Sequence, residues 1–436
     1  MIRIFLYITI LTGVLMGSVL PKFYTKTLKN GLEVVVIPLK NGSNVITTDI
    51  FYKVGSRDEV MGKSGIAHML EHLNFKSTKN LKAGEFDEIV KGFGGVNNAS
   101  TGFDYTQYFI KSSSQNLPKS LELFAELMEN LNLKDEEFQP EREVVLQERR
   151  WRTDNSPMGY LYFRLFNNAY LYHSYHWTPI GFVEDIKNWS IDDIKEFHKR
   201  YYQPKNAILI VAGDIDKDIV FKEAEDKFSH IKNKVKNIPR SHQIEPKQDG
   251  QKSIIIHKNS EVEMLAISYH IPNFQSKDQV ALSAISDILT SGKSSRLNAK
   301  LIDKKRLVNS ISAYNMENKD PGVFLFIAVC NPNVKAKDVQ KEIYEEIEKL
   351  KNEDISEDEL KKIKINAKAD LIYQMEDSSN VVSIFGSYFA RGDIKPLLEY
   401  EDDLNALTAK KIKEVAKKYF TNNNKTVIIL KKDENE

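Results

Sequence analysis

The chain has 436 residues, a formal net charge of +1, 41% hydrophobic residues and 28% charged residues. These values are typical of a soluble globular protein with more than one domain, and the near-zero charge argues against nucleic-acid binding. Cys330 is the single cysteine, which excludes disulfides within the chain and cysteine-rich zinc sites, so any metal must be held by histidine and carboxylate side chains.

Residues 1–20 have the pattern of an export signal. Arg3 precedes an apolar run that begins at Ile4 and continues to Leu20, with small residues in its second half. We expect a secretory signal peptide, and export together with a single cysteine favours the bacterial periplasm. An uncleaved N-terminal membrane anchor and a buried first strand are the alternatives, and no clear motif defines the cleavage site.

The first half of the chain mixes strand and helix patterns without strict alternation. Asn30-Gly31 predicts a tight turn between two β-prone runs, and Pro140 predicts the first turn of a charged helix. The remaining predictions are strands at 45–54, 96–101, 104–110 and 207–213, helices at 65–73, 86–91, 117–131, 134–152, 191–202 and 216–228, and an irregular aromatic stretch at 160–175.

Residues 232–253 are rich in Lys, Asn, Pro, Gln and Asp and lack apolar periodicity, which predicts a linker. After this linker the order and spacing of the predicted elements repeat those of the first half, with little sequence identity. We therefore predict an α+β protein with two similar α/β domains in tandem, at 21–231 and 254–436. Each domain should be a mostly antiparallel sheet packed by helices.

The segment 65–73 contains the motif H-x-x-E-H, formed by His68, Glu71 and His72. On a helix, the two histidines project from one face, where both imidazoles can bind one zinc ion. Glu71 stands beside that metal, where a base could take a proton from a zinc-bound water. Because the pattern is short, a helix that carries two histidines by chance is the simpler alternative.

The segment 141–149 offers a third metal ligand. If it is helical, Glu141 and Glu148 lie two turns apart and share a face with Val144 and Val145. Carboxylates on an apolar, inward face need a partner, and a metal beside one and a histidine ring beside the other would supply it. We expect Glu148 to be the ligand and Glu141 to hold a histidine. A solvated helix with Glu–Arg pairs is the alternative.

Together these motifs resemble the pitrilysin/insulysin superfamily of zinc peptidases. The closer resemblance is to its short-chain branch, which includes the catalytic subunit of the mitochondrial processing peptidase. Members of the family carry H-x-x-E-H and then a glutamate about 76 positions further on, with another glutamate seven positions before it. Here Glu148 follows His72 by 76 positions, and further matches lie at 94–106 and 175–181.

The resemblance implies that the domain at 21–231 is a zinc-dependent endopeptidase domain and that the domain at 254–436 is metal-free. His68, His72 and Glu148 would bind one Zn²⁺ per chain, and Glu71 would be the general base. Glu141 would hold a ligand histidine through its free N–H. The expected activity is cleavage of peptides or unfolded protein segments in a closed chamber.

The resemblance also implies how a substrate is held. The stretch Asn98, Ala99 and Ser100 would be an edge strand that receives the peptide by β-addition. Family members that act alone also carry an Arg and, seven positions later, a Tyr in the second half, but Ile302 and Asn309 stand there. The chain therefore resembles half of a clamshell peptidase, and a related metal-free partner subunit would supply the Arg/Tyr clamp. A homodimer is the alternative.

Two further interpretations complete the sequence-based predictions. His173 and His176 are expected to be structural or to line the cleft, because three metal ligands are already assigned. The alternative to an enzyme is a non-catalytic, metal-binding assembly subunit of a larger complex. The complete ligand set argues against this alternative, since ligands degenerate in such subunits.

Overall fold

The computed structural model describes residues 19–240 and 243–433. The segment 1–20, predicted to be a signal peptide or an anchor, therefore lies outside the described residues except for its last two positions. Within the described ranges, no helix combines the length and the apolar character that a membrane crossing requires.

A six-stranded sheet is built from the first half of the chain. Its strands are β1 (Tyr24–Thr27), β2 (Glu33–Pro38), β3 (Val45–Tyr52), β4 (Val96–Thr101), β5 (Thr106–Ser113) and β6 (Ala207–Gly213). They lie in the order β1-β2-β6-β3-β5-β4, and every neighbouring pair is antiparallel except β2 with β6. This order leaves β4 at an edge, with β5 as its only strand neighbour in the sheet.

The second half of the chain builds a five-stranded sheet with the same strand order. Its strands are β7 (Lys252–Lys258), β8 (Met264–His270), β9 (Val308–Asn315), β10 (Val323–Cys330) and β11 (Lys425–Lys432). The order β7-β11-β8-β10-β9 repeats β2-β6-β3-β5-β4, and again only the first pair is parallel. The predicted α+β class, with two similar units of mostly antiparallel sheet, is confirmed.

The first half of the chain forms the helices α1 (Ile66–Asn74), α2 (Glu85–Gly92), α3 (Leu117–Asn130), α4 (Asp135–Arg149), α5 (Pro157–Ala169), α6 (Val183–Asn188), α7 (Ile191–Tyr201) and α8 (Lys217–Phe228). All of these except α5 cover one face of the first sheet. Leu70 of α1, Leu121 of α3 and Ile194 of α7 are buried together with Val34 and Val36 of β2. A π-helical turn, Arg150–Asp154, continues α4.

The second half of the chain forms the helices α9 (Gln279–Thr290), α10 (Ala336–Asn352), α11 (Glu357–Gln374), α12 (Ser378–Arg391), α13 (Lys395–Leu398), α14 (Tyr400–Ala406) and α15 (Ala409–Tyr419). All of these except α12 and α13 cover one face of the second sheet in the same way. Leu282 of α9, Ile343 of α10 and Ile412 of α15 form a core with Leu265 and Ile267 of β8. A π-helical segment, Asn298–Lys304, precedes β9.

The opposite face of each sheet is covered by a helix from the other half of the chain. α5 packs on β8 and β11 through Leu161 and Phe166, whereas α12 packs on β3 and β6 through Val381 and Phe385. Burial on both faces explains why β6 is buried along its whole length. The predicted domain boundaries stay a prediction, and the exchanged helices show that packing does not follow a simple division of the chain.

Two local predictions were wrong. The stretch interpreted as irregular, 160–175, contains most of α5, which begins after Ser156 and has Pro157 in its first turn. Its aromatic residues Tyr160, Tyr162 and Phe166 pack in the cluster that covers the second sheet, a partner that local periodicity does not reveal. Pro140 lies inside α4 rather than in its first turn, because acidic residues at 135–137 and the buried Phe138 start the helix earlier.

Candidate metal centre

Helix α1 presents the H-x-x-E-H side chains towards a cleft. The helix begins after Gly65, whose φ of 85° and close approach to Ile180 exclude a larger residue there. The apolar residues of α1 are buried against the first core, so His68, Glu71 and His72 face the other way. The two imidazole ring centroids are 4.7 Å apart, as the four-residue spacing predicts.

Helix α4 packs against α1 and adds a carboxylate to the two imidazoles. Oε2 of Glu148 lies 3.3 Å from Nε2 of His72 and 3.6 Å from Nε2 of His68. One potential ligand atom from each residue lies within 4.8 Å of the others. In the part of the chain that the structure describes, this is the only cluster of three such side chains arranged to hold a metal ion.

Glu141, two turns before Glu148, orients one of the histidines. Its Oε1 lies 2.8 Å from Nδ1 of His72, and its Oε2 forms an ion pair of 2.6 Å with Nζ of Lys76. Nδ1 of His72 is thereby engaged, which directs Nε2 of the same ring towards Glu148. Glu141 therefore contacts His72, and its role as the partner of a metal-ligand histidine stays a prediction.

The electrostatics of the two histidines differ. Burial disfavours a charged imidazole at His72, but its bonds to Glu141 and Glu148 outweigh burial and raise its pKa to about 9. Burial, with the neighbouring His72 as a second cause, lowers the pKa of His68 to about 4. Burial also acts to raise the pKa of Glu148, but the nearby cationic groups outweigh it and lower that pKa. His68 is therefore neutral and Glu148 anionic at neutral pH.

These residues fit a zinc ion. Two imidazole nitrogens and one carboxylate oxygen are a ligand set typical of catalytic zinc, which keeps a further position for water or substrate. One ligand atom from each of these side chains lies within 4.8 Å of the other two, and all three side chains come from regular helices. His68, His72 and Glu148 could therefore hold the metal without rearrangement of the backbone.

The cluster lies in a cleft of about 740 Å³ between α1, α4 and the edge strand β4. Glu71 also lines this cleft, and its Oε2 accepts a hydrogen bond of 2.5 Å from Oγ1 of Thr101. Burial raises the pKa of Glu71, which favours a proton acceptor more basic than an exposed carboxylate. Arg152 contacts the other oxygen of Glu148, with Nε 3.1 Å from Oε1.

Strand β4 forms one wall of the cleft. Val96, Asn98 and Ser100 are exposed, and the residues between them are half-buried. The main-chain N–H of Ala99 donates a 2.9 Å hydrogen bond to Oδ1 of Asn98. The side chain of Asn98 therefore covers part of the strand edge. An exposed edge strand beside a metal-ligand cluster offers main-chain groups to an extended peptide.

Comparison with known proteins identifies the family. The family model "Insulinase (Peptidase family M16)" matches residues 34–170, and "Peptidase M16 inactive domain" matches residues 188–367. The chain is 56% identical over 416 residues to the zinc protease PqqE of Helicobacter pylori, covering 95% of this chain and 94% of that protein. The chain belongs to peptidase family M16. The resemblance seen in the sequence motifs is confirmed.

Solved structures of two bacterial proteases have the same fold. A crystal structure of a protease from Helicobacter pylori has a TM-score of 0.93 and 56% identity, covering 94% of this chain and all of the other. The periplasmic protease PqqL from Escherichia coli has a TM-score of 0.77 at 20% identity, which shows the shared fold alone. The match covers 95% of this chain but 48% of PqqL.

The other residues singled out in the sequence lie apart from the M16 motif residues. Ile302 packs partly buried against the second core and Asn309 is exposed, so neither offers a guanidinium or a phenol. Nε2 of His173 lies 3.0 Å from Oδ2 of Asp320, and Nδ1 of His176 lies 2.8 Å from the main-chain oxygen of Tyr170. Both histidines contact residues outside the metal-ligand cluster, which agrees with a structural role.

Three side chains of the centre were not predicted. Arg152 follows Glu148 by four residues, and Lys76 follows His72 by four, so i,i+4 spacing could have indicated both neighbours. Thr101 reaches Glu71 from a different element, and only the tertiary structure brings the two together.

Proposed function

We propose that this chain is a zinc-dependent endopeptidase that cleaves peptides or unfolded protein segments. The observation that carries the proposal is the convergence of His68, His72 and Glu148 beside Glu71 in one cleft with an edge strand. The zinc protease name of the relative with 56% identity supports the same reaction class. One zinc ion per chain would be held by the two Nε2 atoms and by Oε2 of Glu148.

Each side chain of the centre would have a separate role in the reaction. When bound, zinc supplies a Lewis acid that polarises the scissile carbonyl and lowers the pKa of the attacking water. Glu71 takes the proton of that water on its carboxylate and returns it to the leaving amine. Glu141 keeps Nδ1 of His72 occupied, and Lys76 balances the charge of Glu141.

The edge strand would hold the substrate through its main chain. Asn98, Ala99 and Ser100 lie along β4 in the wall of the cleft, where a peptide could add as a further strand. For this to occur, the side chain of Asn98 must release the N–H of Ala99. Recognition through main-chain groups favours extended or unfolded substrates, and a closed chamber would limit them further.

A second subunit would complete the substrate site. Ile302 and Asn309 replace the Arg and Tyr that act as a clamp in related peptidases, so we propose a heterodimer with a metal-free subunit that carries this pair. The match to 48% of the longer PqqL chain supports pairing, since this chain corresponds in fold to one half of that protein. A homodimer would be the competing outcome.

We also propose that the protein is exported, and that it acts in the periplasm of a bacterial cell. The apolar run after Arg3 supports export, and a single cysteine is compatible with it. Cell fractionation with an antibody against the chain tests this proposal. Recovery in the cytosolic fraction at full length would contradict it.

The central test replaces the proposed base. Glu71→Gln keeps the size of the side chain but removes its ability to take a proton, so cleavage of a mixture of internally quenched peptides should be lost. Metal analysis should still find one zinc per chain. The matched control is Glu88→Gln, the same change at an exposed position of α2. The protein should be purified from its native cells with any subunit that accompanies it.

Four outcomes separate the candidate functions and subunit arrangements. Loss of cleavage in Glu71→Gln alone supports the peptidase, and equal cleavage by both variants contradicts the role of Glu71. Stoichiometric zinc with no cleavage by the wild-type complex would favour a non-catalytic, metal-binding assembly subunit. A co-purified chain of similar length without H-x-x-E-H would support the heterodimer.

A further inference from the structure

Thr101 connects the edge strand with the base. It is the last residue of β4, and its Oγ1 donates a 2.5 Å hydrogen bond to Oε2 of Glu71 on α1. Its side chain is half-buried, whereas Ser100 before it is exposed. The same residue thus belongs to the strand that would receive a peptide and contacts the carboxylate that would move the proton.

β4 is held from one side. Among the described strands it is paired only with β5, Ala99 packs against the first core, and the opposite edge is open to the cleft. Two side-chain bonds fasten it to the helices. Nδ2 of Asn97 donates to Oδ1 of Asp87 on α2 at 2.7 Å, and Thr101 donates to Glu71 on α1. A displacement of the end of β4 would therefore be transmitted to Glu71.

We propose that Thr101 is a positioning residue that fixes the carboxylate of Glu71 and couples its orientation to the peptide bound on β4. The bond engages Oε2 of Glu71, which leaves Oε1 as the oxygen that takes the proton. A glutamate side chain without such a bond samples several rotamers, and a misplaced base lowers the rate of proton transfer. This inference rests on the proposed peptidase function.

The alternative is that Thr101 only stabilises the strand. Threonine and valine are both β-branched and both favour strands, so Thr101→Val removes the hydroxyl and keeps the shape and the strand preference. Thr101→Ser keeps the hydroxyl and removes the methyl group. If Thr101 acts through its hydroxyl, the serine variant restores what the valine variant loses. A purely structural role predicts the reverse order.

The chain offers a matched control. Thr106 lies opposite Thr101 in the β4–β5 pair, and its Oγ1 donates to the main-chain oxygen of Val54 rather than to Glu71. Thr106→Val makes the same chemical change one strand away, in the same ladder. It should lower the stability of the protein without changing kcat for the peptide mixture.

The experiment measures kcat and KM of the zinc-loaded, full-length protein, with its native partner, on the quenched peptide mixture. For Thr101→Val we expect kcat to fall about 10- to 100-fold with little change in KM and unchanged zinc content. Thr101→Ser should recover most of kcat, and Thr106→Val should match the wild type.

Several results would overturn the inference. They are a kcat of Thr101→Val within twofold of the wild type, a loss confined to KM, a loss of zinc, or a serine variant as impaired as the valine variant. These results are distinguishable from failure of the proposed function. In that case the wild-type protein would cleave no faster than Glu71→Gln, and no comparison among the Thr101 variants would arise.

Discussion

Acidification should weaken zinc binding, because the binding of one zinc ion releases one proton, which comes from His72. The pKa of His72 is raised to about 9 by Glu141 and Glu148, whereas that of His68 is lowered to about 4 by burial. Zinc binds the neutral imidazole, so below pH 9 a proton must leave His72, while above pH 5 none leaves His68. The apparent affinity should therefore fall tenfold for each pH unit, about 100-fold between pH 7 and pH 5.

The assay is competition with a chelator whose own protonation is known, at constant ionic strength over this pH range. A slope of one in the logarithm of the affinity against pH is expected. Glu141→Gln removes one of the groups that raise the pKa of His72. Its slope should flatten towards the upper end of the range, because His72 then loses its proton at a lower pH and competes less with zinc near pH 7. A wild-type slope near two or near zero would refute this reasoning.

The remaining predictions concern packing and the Glu148 carboxylate. A β-carbon at Gly386 would overlap the buried ring of Phe51, so Gly386→Ala should lower the free energy of unfolding by about 1–3 kcal/mol in urea titrations. Leu161 of α5 is fully buried against the second sheet, and Leu161→Ala should cost about 2–5 kcal/mol in the same measurement. Arg152→Ala should raise zinc affinity by about tenfold at most, because it removes a positive charge beside the ligands, and the effect stays small since Arg152 is largely exposed.

Much of the centre could be predicted because helical spacing is a local property. On any helix, residues spaced like His68 and His72, or like Glu141 and Glu148, share a face wherever the helix lies in the protein. That the two helices would meet was not local information, and the family resemblance supplied it. The bond from Thr101 to Glu71 depends on where β4 ends relative to α1, which neither spacing nor the resemblance specified.

The fold was predicted least well where a segment packs on a distant part of the chain. The residues of α5 are aromatic and apolar because they cover β8 and β11, and this pattern resembled an irregular segment when only local partners were considered. The helix α12 was not predicted at all, although its residues Val381 and Phe385 are buried against the first sheet. Both helices are ordered by tertiary contacts, which override local preference.

Because α5 and α12 each pack on the sheet of the other half, the chain cannot be cut into two independently folding fragments. If the chain were cut between residues 232 and 251, the fragment with the metal ligands would keep α5 but lose α12, leaving Val35 and Phe51 open to water. The other fragment would lose the cover of Ile428. Neither fragment would be a self-sufficient folding unit, so the isolated metal-binding half should aggregate, and the intact chain should unfold in a single cooperative transition.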